Sequence, residues 1–363
     1  MHIAVLPGDD IGPEITAATM DVLTAAGHIF GLKLDFEVLE NGMASHRKLG
    51  TTLPERALQA ALAADGVILG PAGMTAYPPR EEGGINVPGT IRKRLDLFAN
   101  IRPAKSRPTL PEAREGLDCL IVRENTEGFY SDRNMVQGAA EFMPTEDCAL
   151  SVRKITAKAS RRIAEVAFAE AMGRRRSVTV VGKRHVLQLT DGLFMREVWD
   201  VARDYPQVSL REMDVDAAAA ALYLQPRDFD VVLVTNMFGD ILSNLAVGLS
   251  GGLGLSASLN SGADHAAANA GHGSAPDIAG KGVANPTGLI LSAAMLLDWL
   301  GKRHRAQVNH DAAEAIRVAV DQALASPETR TKDLGGRGTI SEFTRQVRTE
   351  LENHAIDAGS LPA

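Results

Sequence analysis

Apolar residues occur along this chain in two recurring patterns. Short uninterrupted apolar runs, bounded by glycines or charged residues, are typical of strands buried on both faces of a sheet. Longer stretches between them repeat apolar residues with helical spacing. The runs predicted as strands are residues 3–6, 66–70, 97–103, 119–122, 177–181 and 229–234. Because strands and helices alternate, we predict an α/β protein with a mostly parallel central sheet.

Helical spacing is clear after Pro13, which opens a helix with Ile15, Val22 and Leu23 on one face. Further helices are predicted near Pro54 and over residues 90–94, 157–172 and 287–300. Glycine- and proline-rich residues 71–88 are predicted to form a loop, residues 131–148 an irregular polar segment, and residues beyond 350 a frayed tail.

Composition narrows the class of protein. The chain has 363 residues, of which 45% are hydrophobic, enough for about two domains. Its net charge of −7 argues against a nucleic-acid partner, which requires a basic surface. The N-terminus enters a strand directly, and the apolar stretch 289–300 is too short to cross a bilayer. This short stretch argues against a membrane partner. Because Cys119 and Cys148 have no redox or metal spacing, we expect a cytoplasmic protein.

Candidate metal ligands lie in residues 236–244, directly after the apolar run 229–234. We expect Gly239 to mark a turn and Asp240 to open a helix. Asp240 and Asn244 are four positions apart and therefore share one helix face. Two oxygen ligands on one face suit Mg²⁺ or Mn²⁺, but the same pair also fits a helix cap and a surface amide.

Charged residues at the ends of predicted elements are candidate substrate-binding and proton-transfer groups. Arg92, Arg102 and Arg123 would suit a di- or tricarboxylic acid if they converge, although each alone also fits a surface ion pair. Lys183 follows a strand, where it is either solvated or, beside carboxylates, useful for proton transfer. Asp216 lies at the start of an alanine-rich helix.

Residues 272–286 form a long glycine-rich loop with little that could build a core, which favours a functional loop. Free backbone amides and one aspartate, Asp277, would fit a dinucleotide and its ribose hydroxyls. The turn at residues 8–12 lacks the G-x-G-x-x-G spacing of Rossmann folds. The sequence also contains no Walker phosphate loop, H-E-x-x-H or nucleophile-elbow motif.

Four segments together resemble the metal-dependent β-decarboxylating dehydrogenases, the isocitrate/isopropylmalate dehydrogenase family. The family includes isocitrate, homoisocitrate, 3-isopropylmalate and tartrate or D-malate dehydrogenases, and the resemblance covers roughly residues 1–345. The segments are residues 98–103, 122–128, 239–243 and 272–286.

The resemblance implies an isopropylmalate dehydrogenase-like fold of two domains, not a Rossmann fold. Residues 1–97 with 251–363 would form a discontinuous cofactor-binding domain, and residues 98–250 a substrate and dimerisation domain. Active sites would be shared between the two subunits of a homodimer.

The resemblance also assigns roles residue by residue. Arg92, Arg102 and Arg123 would bind the malate-type carboxylates, and Tyr130 would protonate the enol left by decarboxylation. Lys183, contributed by the neighbouring subunit, would assist proton removal from the C2 hydroxyl. The metal would be held by Asp216 of one subunit and by Asp240 and Asn244 of the other. NAD, favoured over NADP by Asp277, would be bound by His272, Gly273, Ser274, Ala275, Asp277 and Asn285.

The chain departs from the family pattern at several positions. Asn244 stands where a second aspartate is usual, His185 replaces an asparagine, Asn269 a glutamate or glutamine, and Asp10 a glycine.

The substrate-selecting positions before Arg92 also differ from known patterns. They hold Pro88 and Gly89, with Asn86 further back, instead of the leucine pair of isopropylmalate enzymes or the Ser and Asn of isocitrate enzymes. Residues 80–82 could supply a polar contact instead, and residues 98–106 lean towards isocitrate and homoisocitrate enzymes.

The expected function is NAD-dependent, metal-assisted oxidative decarboxylation of a substituted malate. Two alternatives remain open. One is a tartrate or D-malate dehydrogenase without obligatory decarboxylation. The other is a non-catalytic regulatory subunit, which Asn244 and His185 favour and the retained Tyr130 and Lys183 disfavour.

Overall fold

The structure is a computed structural model that describes residues 1–130 and 140–357, with side chains through residue 354. The strands are β1 (His2–Leu6), β2 (Asp35–Val38), β3 (Gly66–Leu69), β4 (Ala99–Lys105), β5 (Asp118–Glu124), β6 (Glu141–Thr145), β7 (Cys148–Ser151), β8 (Ser177–Gly182), β9 (Ser209–Asp214), β10 (Val231–Val234), β11 (Leu259–Ser261) and β12 (Ala266–Asn269). The helices are α1 (Gly12–Phe30), α2 (Gly42–Leu49), α3 (Glu55–Ala63), α4 (Val87–Arg94), α5 (Ala157–Met172), α6 (Thr190–Ala202), α7 (Val215–Leu224), α8 (Asn236–Leu249), α9 (Thr287–His304), α10 (Gln307–Ala325) and α11 (Ile340–Asp357).

Ten strands form one central sheet in the order β2-β1-β3-β12-β11-β4-β5-β10-β8-β9. Six neighbouring pairs are parallel, and the three pairs formed by β12 with β11, β11 with β4 and β4 with β5 are antiparallel. The predicted α/β class with a mostly parallel sheet is therefore confirmed. Strands β6 and β7 form a separate antiparallel hairpin.

Helices cover both faces of this sheet, as expected for strands that are apolar on both sides. Strand β4 shows how the alternation works in the middle of the sheet. Ile101 packs into the core built with α5 and α6, whereas Ala104 packs into the core built with α7 and α8. Arg102, between them, points to the same face as Ala104 and meets α8.

Helix α8 begins earlier than predicted, at Asn236, so the expectation that Gly239 turns the chain and Asp240 opens a helix is wrong. The glycine has a different reason to be there. A Cβ on Gly239 would lie 2.6 Å from Cγ of Arg123, so the arginine stem needs the bare backbone. Asp240 consequently bonds to side chains of the sheet rather than capping its own helix.

Two other predictions of irregular structure were wrong. Part of the segment expected to be irregular forms strand β6, and the tail expected to fray continues as α11 to Asp357. Residues 131–139 and 358–363 lie outside the described part of the chain. No helix in that described part is long and apolar enough to cross a membrane.

Two buried carboxylates fix the short segment at residues 124–127, at the end of β5. Glu124 accepts hydrogen bonds from the amides of Thr126 and Glu127, both at 2.9 Å. Glu127 accepts from the amide of Thr156 at 2.8 Å and from its hydroxyl at 2.9 Å, which ties the segment to the first turn of α5. Burial raises the pKa of Glu127 to about 7, against the opposing effect of these hydrogen bonds.

A pH-dependent contribution to stability follows from Glu127. Because the folded-state pKa, about 7, lies above the ordinary value of 4.5, the ionised carboxylate is disfavoured in the fold. Its contribution is therefore most favourable at low pH and is lost as pH rises through about 7. The variant Glu127→Gln, which stays neutral, should gain about 1–2 kcal/mol in free energy of unfolding relative to wild type between about pH 5.5 and about pH 8.5.

Denaturant unfolding at a series of pH values measures this difference. Glu165→Gln, at an exposed position of α5, is the matched control and should run parallel to wild type. A constant difference between Glu127→Gln and wild type across the range would contradict the assignment.

Candidate active site

A cavity of about 250 Å³ brings several predicted residues together. One wall comes from the loop after β3 and the start of α4, and the other from the loop after β12. Its lining includes Arg92 and Arg102, predicted to bind substrate, and His272 and Gly273, predicted to bind the cofactor. The fold therefore places a substrate-type and a cofactor-type group on the same cavity.

Arg102 and Arg123 converge on Asp240, as the hypothesis of clustered guanidiniums requires. Nη1 of Arg123 lies 2.7 Å and Nη1 of Arg102 lies 3.3 Å from the same oxygen, Oδ1 of Asp240. The arginine side chains are only 4% and 6% exposed, whereas Asp240 is 37% exposed. Burial lowers the pKa of Arg102, and the carboxylate of Asp240 opposes that shift.

Neutral side chains fix the orientation of both guanidiniums. Nε of Arg102 donates to Oδ1 of Asn100 at 2.7 Å, and its Nη1 donates to Oγ of Ser243 at 2.9 Å. Nη2 of Arg123 donates to Oδ1 of Asn236 at 2.7 Å. The sequence analysis gave Asn100, Ser243 and Asn236 no role. Polar residues within largely apolar stretches could have indicated that they hold buried charged groups.

Arg92 reaches the cavity from the last turns of α4. Its Nη2 lies 3.3 Å from Oδ1 of Asn269, whose own amide is held by the carbonyl of Leu69. Asn269, one of the positions that differ from the family pattern, thus contacts a residue that is predicted to bind substrate. Tyr130 is half-buried and close enough to Arg102 to affect its pKa electrostatically.

The donor chemistry around Asp240 fits a hard divalent cation. While Oδ1 faces the arginines, Oδ2 accepts no hydrogen bond from any residue that the structure describes. Asn244 is exposed one turn further along α8, and its Nδ2 donates to the backbone carbonyl of Asp240 at 3.0 Å. Oxygens of both side chains therefore remain for Mg²⁺ or Mn²⁺.

Lys183, directly after β8, and Asp216, in the first turn of α7, form a second cluster. Nζ of Lys183 contacts Asp216 and lies 3.3 Å from Oδ2 of Asp214, which also lies 3.0 Å from Nδ1 of His185. The hydrogen bond from Lys183 lowers the pKa of Asp216, and the same bond raises the pKa of Lys183.

Within the part of the chain that the structure describes, this second cluster is separate from the one around Asp240. No hydrogen bond or ion pair among residues 1–130 and 140–354 links them. Over the same residues, no group of three or more Asp, Glu, His or Cys side chains is placed to hold a metal ion.

The loop predicted to bind the dinucleotide offers unused polar groups and open space. Within the described chain, Nε2 of His272 is buried without a hydrogen-bond partner, while its Nδ1 lies 3.0 Å from the carbonyl of Gly273. Burial lowers the pKa of this imidazole, which favours the neutral ring. A Cβ on Gly273 would meet no atom within 4 Å. These features fit an organic ligand lying along the loop.

The remaining predicted cofactor residues occupy distinct positions around the same loop. The carbonyl of Ser274 accepts the amide of Ile11 at 3.1 Å, and Ala275 takes a left-handed conformation with φ of 44°. Asp277 is exposed, and Nδ2 of Asn285 donates to Asp333 at 2.9 Å. The structure thus anchors this loop to the first turn of the chain and to residues near the C-terminus.

Residues 80–82 form an exposed 3₁₀ turn and do not line the cavity described above, which weakens their expected role as a polar substrate contact. Asp10 adopts φ of 53°, a left-handed conformation that explains why a glycine is usual there. Aspartate tolerates this region better than most side chains, so the turn is preserved.

Comparisons with known proteins agree with this geometry. The sequence pattern of the family described as isocitrate/isopropylmalate dehydrogenase matches residues 2–350. An isocitrate/homoisocitrate dehydrogenase of Thermus thermophilus is 43% identical over 97% of this chain and 99% of its own length. A 3-isopropylmalate dehydrogenase of Methanothermobacter thermautotrophicus is 40% identical over 97% of this chain and 99% of its own.

A solved structure, the isocitrate dehydrogenase of Methylococcus capsulatus, has a TM-score of 0.85 at 36% identity and covers 96% of this chain and 99% of that one. The chain therefore belongs to the isocitrate/isopropylmalate dehydrogenase family and is an enzyme of the type that oxidatively decarboxylates hydroxy acids.

Proposed function

We propose that this enzyme oxidises a substituted malate with NAD and decarboxylates it with the help of Mg²⁺ or Mn²⁺, in sites shared by two copies of the chain. The observation that carries the proposal is the group of Arg102, Arg123 and Asp240. Two buried cations beside one partly exposed carboxylate can receive a substrate carboxylate and a metal ion at the same place.

Substrate binding would fall to the three arginines. Arg102 and Arg123 are fixed by neighbouring amides and a hydroxyl, so little ordering is left to be done when the substrate arrives. Arg92 faces the same cavity from α4. Guanidiniums bind carboxylates through paired hydrogen bonds, which favours a substrate with two or more carboxylates.

Asp240 and Asn244 of one copy, with Asp216 of another, would hold the divalent cation, which when bound supplies Lewis-acid stabilisation of the developing enolate. Lys183 would take the proton of the C2 hydroxyl, and Tyr130 would return a proton to the enol. In the chain alone, the hydrogen bond to Asp216 raises the pKa of Lys183. When Asp216 serves as a metal ligand, that contact would be lost, which would free the amine of Lys183 for the C2 hydroxyl.

NAD is favoured over NADP by charge. Asp277 is exposed in the same loop as His272. Among the residues that the structure describes, Nε2 of His272 has no hydrogen-bond partner. A carboxylate beside the adenosine ribose can accept hydrogen bonds from the ribose hydroxyls, but it repels a 2′-phosphate. His272, Gly273, Ser274, Ala275 and Asn285 would complete the cofactor site with this residue.

A homodimer is supported by apolar surface on two features of the chain. Helices α7 and α8 expose Tyr223, Leu224 and Ile241, which are 53%, 63% and 56% exposed, and the β6–β7 hairpin exposes Phe142 and Met143. Apolar patches of this kind are typical of subunit interfaces. A second copy on α8 would approach Asp240 and could bring Lys183 and Asp216 to it.

The division into two domains fits this arrangement. One hydrophobic core joins α1 with α9, α10 and α11, and others pack around β5, β8 and β10. We propose that residues 1–97 with 251–363 bind the cofactor and that residues 98–250 bind substrate and form the dimer.

The substituent on the malate core is expected to be polar. Asn86, Pro88 and Gly89 line the cavity next to Arg92, so an amide stands there and no leucine pair. We therefore favour isocitrate or homoisocitrate over 3-isopropylmalate, with tartrate and D-malate as the alternative. The deciding experiment follows NADH formation with Mn²⁺ for these five acids. Turnover of none of them would refute the proposed function.

Removing Lys183 or Asp240 should abolish catalysis. Lys183→Ala removes the base and Asp240→Asn removes a negative charge from the metal site, so each should lower kcat at least about 100-fold. Steady-state NADH formation measures the loss, and circular dichroism checks the fold. Lys302→Ala and Asp264→Asn, at exposed positions, are the matched controls. Full turnover in either site variant would overturn its role.

Shared sites make a sharper prediction for the same two variants. If Lys183 and Asp240 of each site come from different copies, a mixed dimer contains one site with both changes and one intact site. Co-expression of Lys183→Ala with Asp240→Asn should therefore restore about a quarter of wild-type activity, because about half of randomly formed dimers are mixed. Co-expressed samples as inactive as each variant alone would argue that each site lies within one chain.

Reversing the charge at Asp277 should change the preferred cofactor. Asp277→Lys removes repulsion of the 2′-phosphate and adds an attraction, so the ratio of kcat/KM for NADP over that for NAD should rise at least about tenfold. Asp264→Lys, an exposed aspartate outside the loop, is the control. An unchanged ratio in Asp277→Lys would remove the ribose assignment.

A further inference from the structure

Asp9 lies in the turn between β1 and α1, and this acidic residue is only 7% exposed. Three groups from two other segments bond to it. Its Oδ1 accepts the amide of Met43 at 2.7 Å. Its Oδ2 accepts the amide of Gly73 at 3.0 Å and the hydroxyl of Tyr77 at 2.7 Å. Nothing in the catalytic roles above uses this buried acid.

The segment that Asp9 holds is a wall of the active-site cavity. Pro71, Ala72 and Met74 line that cavity on the side opposite the loop of Gly271 and His272. Asp9 binds this wall from behind at Gly73 and at Tyr77, so it fixes both ends of the short 3₁₀ turn between them.

The turn that carries Asp9 is also bonded to the opposite wall. The amide of Asp9 donates to the carbonyl of Pro71 at 2.8 Å, and the amide of Ile11 donates to the carbonyl of Ser274 at 3.1 Å. One turn of the chain therefore sets the separation between the wall at residues 71–77 and the cofactor loop. A shift in this turn would move both walls.

Two glycines allow a close approach of the backbone at Asp9 and at Pro71. A Cβ on Gly42 would lie 2.4 Å from Oδ1 of Asp9, and a Cβ on Gly8 would lie 2.1 Å from the carbonyl oxygen of Pro71. Both glycines have positive φ, 73° and 78°. Gly42 can lie this close to Asp9, and Gly8 this close to Pro71, only because these two positions lack side chains.

Replacing the acid by its amide would break the arrangement. Asparagine offers one acceptor oxygen and one donor NH₂, whereas all three partners of Asp9 are donors. In Asp9→Asn, one side of the new amide would therefore oppose an N–H or O–H with its own N–H. Burial and the bond to Asp9 both raise the pKa of Tyr77, consistent with a hydroxyl that keeps its proton to donate it.

We propose that Asp9 is a positioning residue that holds the wall at residues 71–77 in the shape that substrate and dinucleotide require. It touches neither of them and acts through Gly73 and Tyr77. The inference rests on the proposed function only in that the cavity is taken to be the site of substrate and cofactor.

Kinetics of Asp9→Asn and Tyr77→Phe test the role in the whole enzyme. Asp9→Asn should raise KM for the hydroxy acid at least about tenfold while kcat stays within about threefold, because the cavity is less often formed but the reacting groups are unchanged. Tyr77→Phe keeps the carboxylate and should give a smaller rise in the same direction. Asp10→Asn, an exposed neighbour without these contacts, should match wild type.

Amide hydrogen exchange gives a readout that does not depend on turnover. In Asp9→Asn, exchange at the amides of Gly73 and Met43 should be at least about tenfold faster than in wild type and in Asp10→Asn, with β3 unchanged. Unchanged exchange at both amides would overturn the proposal, as would faster exchange with an unaltered KM. If Asp9→Asn does not fold, Tyr77→Phe carries the test, and unaltered KM and exchange in it overturn the proposal.

The two proposals can fail separately. If the wild-type enzyme oxidises none of the hydroxy acids, the proposed function fails, and exchange together with NADH binding still judges the role of Asp9. If wild type is active and Asp9→Asn keeps its KM, Asp9 has only a structural role and the inference fails alone.

Discussion

The structure depends on two buried guanidiniums that share one carboxylate oxygen. Arg102 and Arg123 are almost fully buried, and a buried charge without a partner is strongly destabilising. Asp240 is the partner for both, and Asn100, Ser243 and Asn236 accept further hydrogen bonds from the two side chains. Of the three residues in this cluster, Arg102 also lines the cavity, so the cluster places a positive charge there beside Arg92.

Sheet topology is what brings the two arginines together. Strand β4 is antiparallel to β5, and in their register Asn100 lies opposite Arg123 while Arg102 lies opposite Ile121. The arginines are thus diagonal neighbours on one face of the sheet, a spacing that long side chains can bridge. Helix α8 crosses that face, and Gly239 lets it approach closely enough for Asp240 to reach both.

The site is divided between two clusters in a way that gives the proposed dimer a physical reason. In the described chain, neither Asp240 nor Asp216 belongs to a group of three or more potential metal-binding side chains. Asp216 is paired with Lys183, and its side chain is 72% exposed in the first turn of α7. A hard cation prefers several oxygen ligands, so each half-site by itself provides too few. Bringing a second copy to the apolar surface of α7 and α8 would join the two halves.

The sequence by itself determined the elements, their alternation and the chemistry available. Apolar runs predicted β1, β3, β5, β8 and β10 because a strand buried on both faces must be apolar throughout. Helical spacing predicted α5 with both its ends, and long motifs identified the family.

Short elements without a hydrophobic pattern were not predicted from the sequence. Strands β11 and β12 are three and four residues long, and β12 consists of alanines and one asparagine, so neither gives a periodic signal. The start of α8 was misplaced because a glycine was taken as a turn, whereas it allows close packing against Arg123.

Contacts across the sheet were decided only by the tertiary structure. That Arg102 and Arg123 share one oxygen, that Asn269 contacts Arg92, and that Asp9 joins segments 34 and 64 residues away cannot be read from local spacing. Residue types fix which bonds are possible, but strand order and register decide which atoms come within about 3 Å of each other.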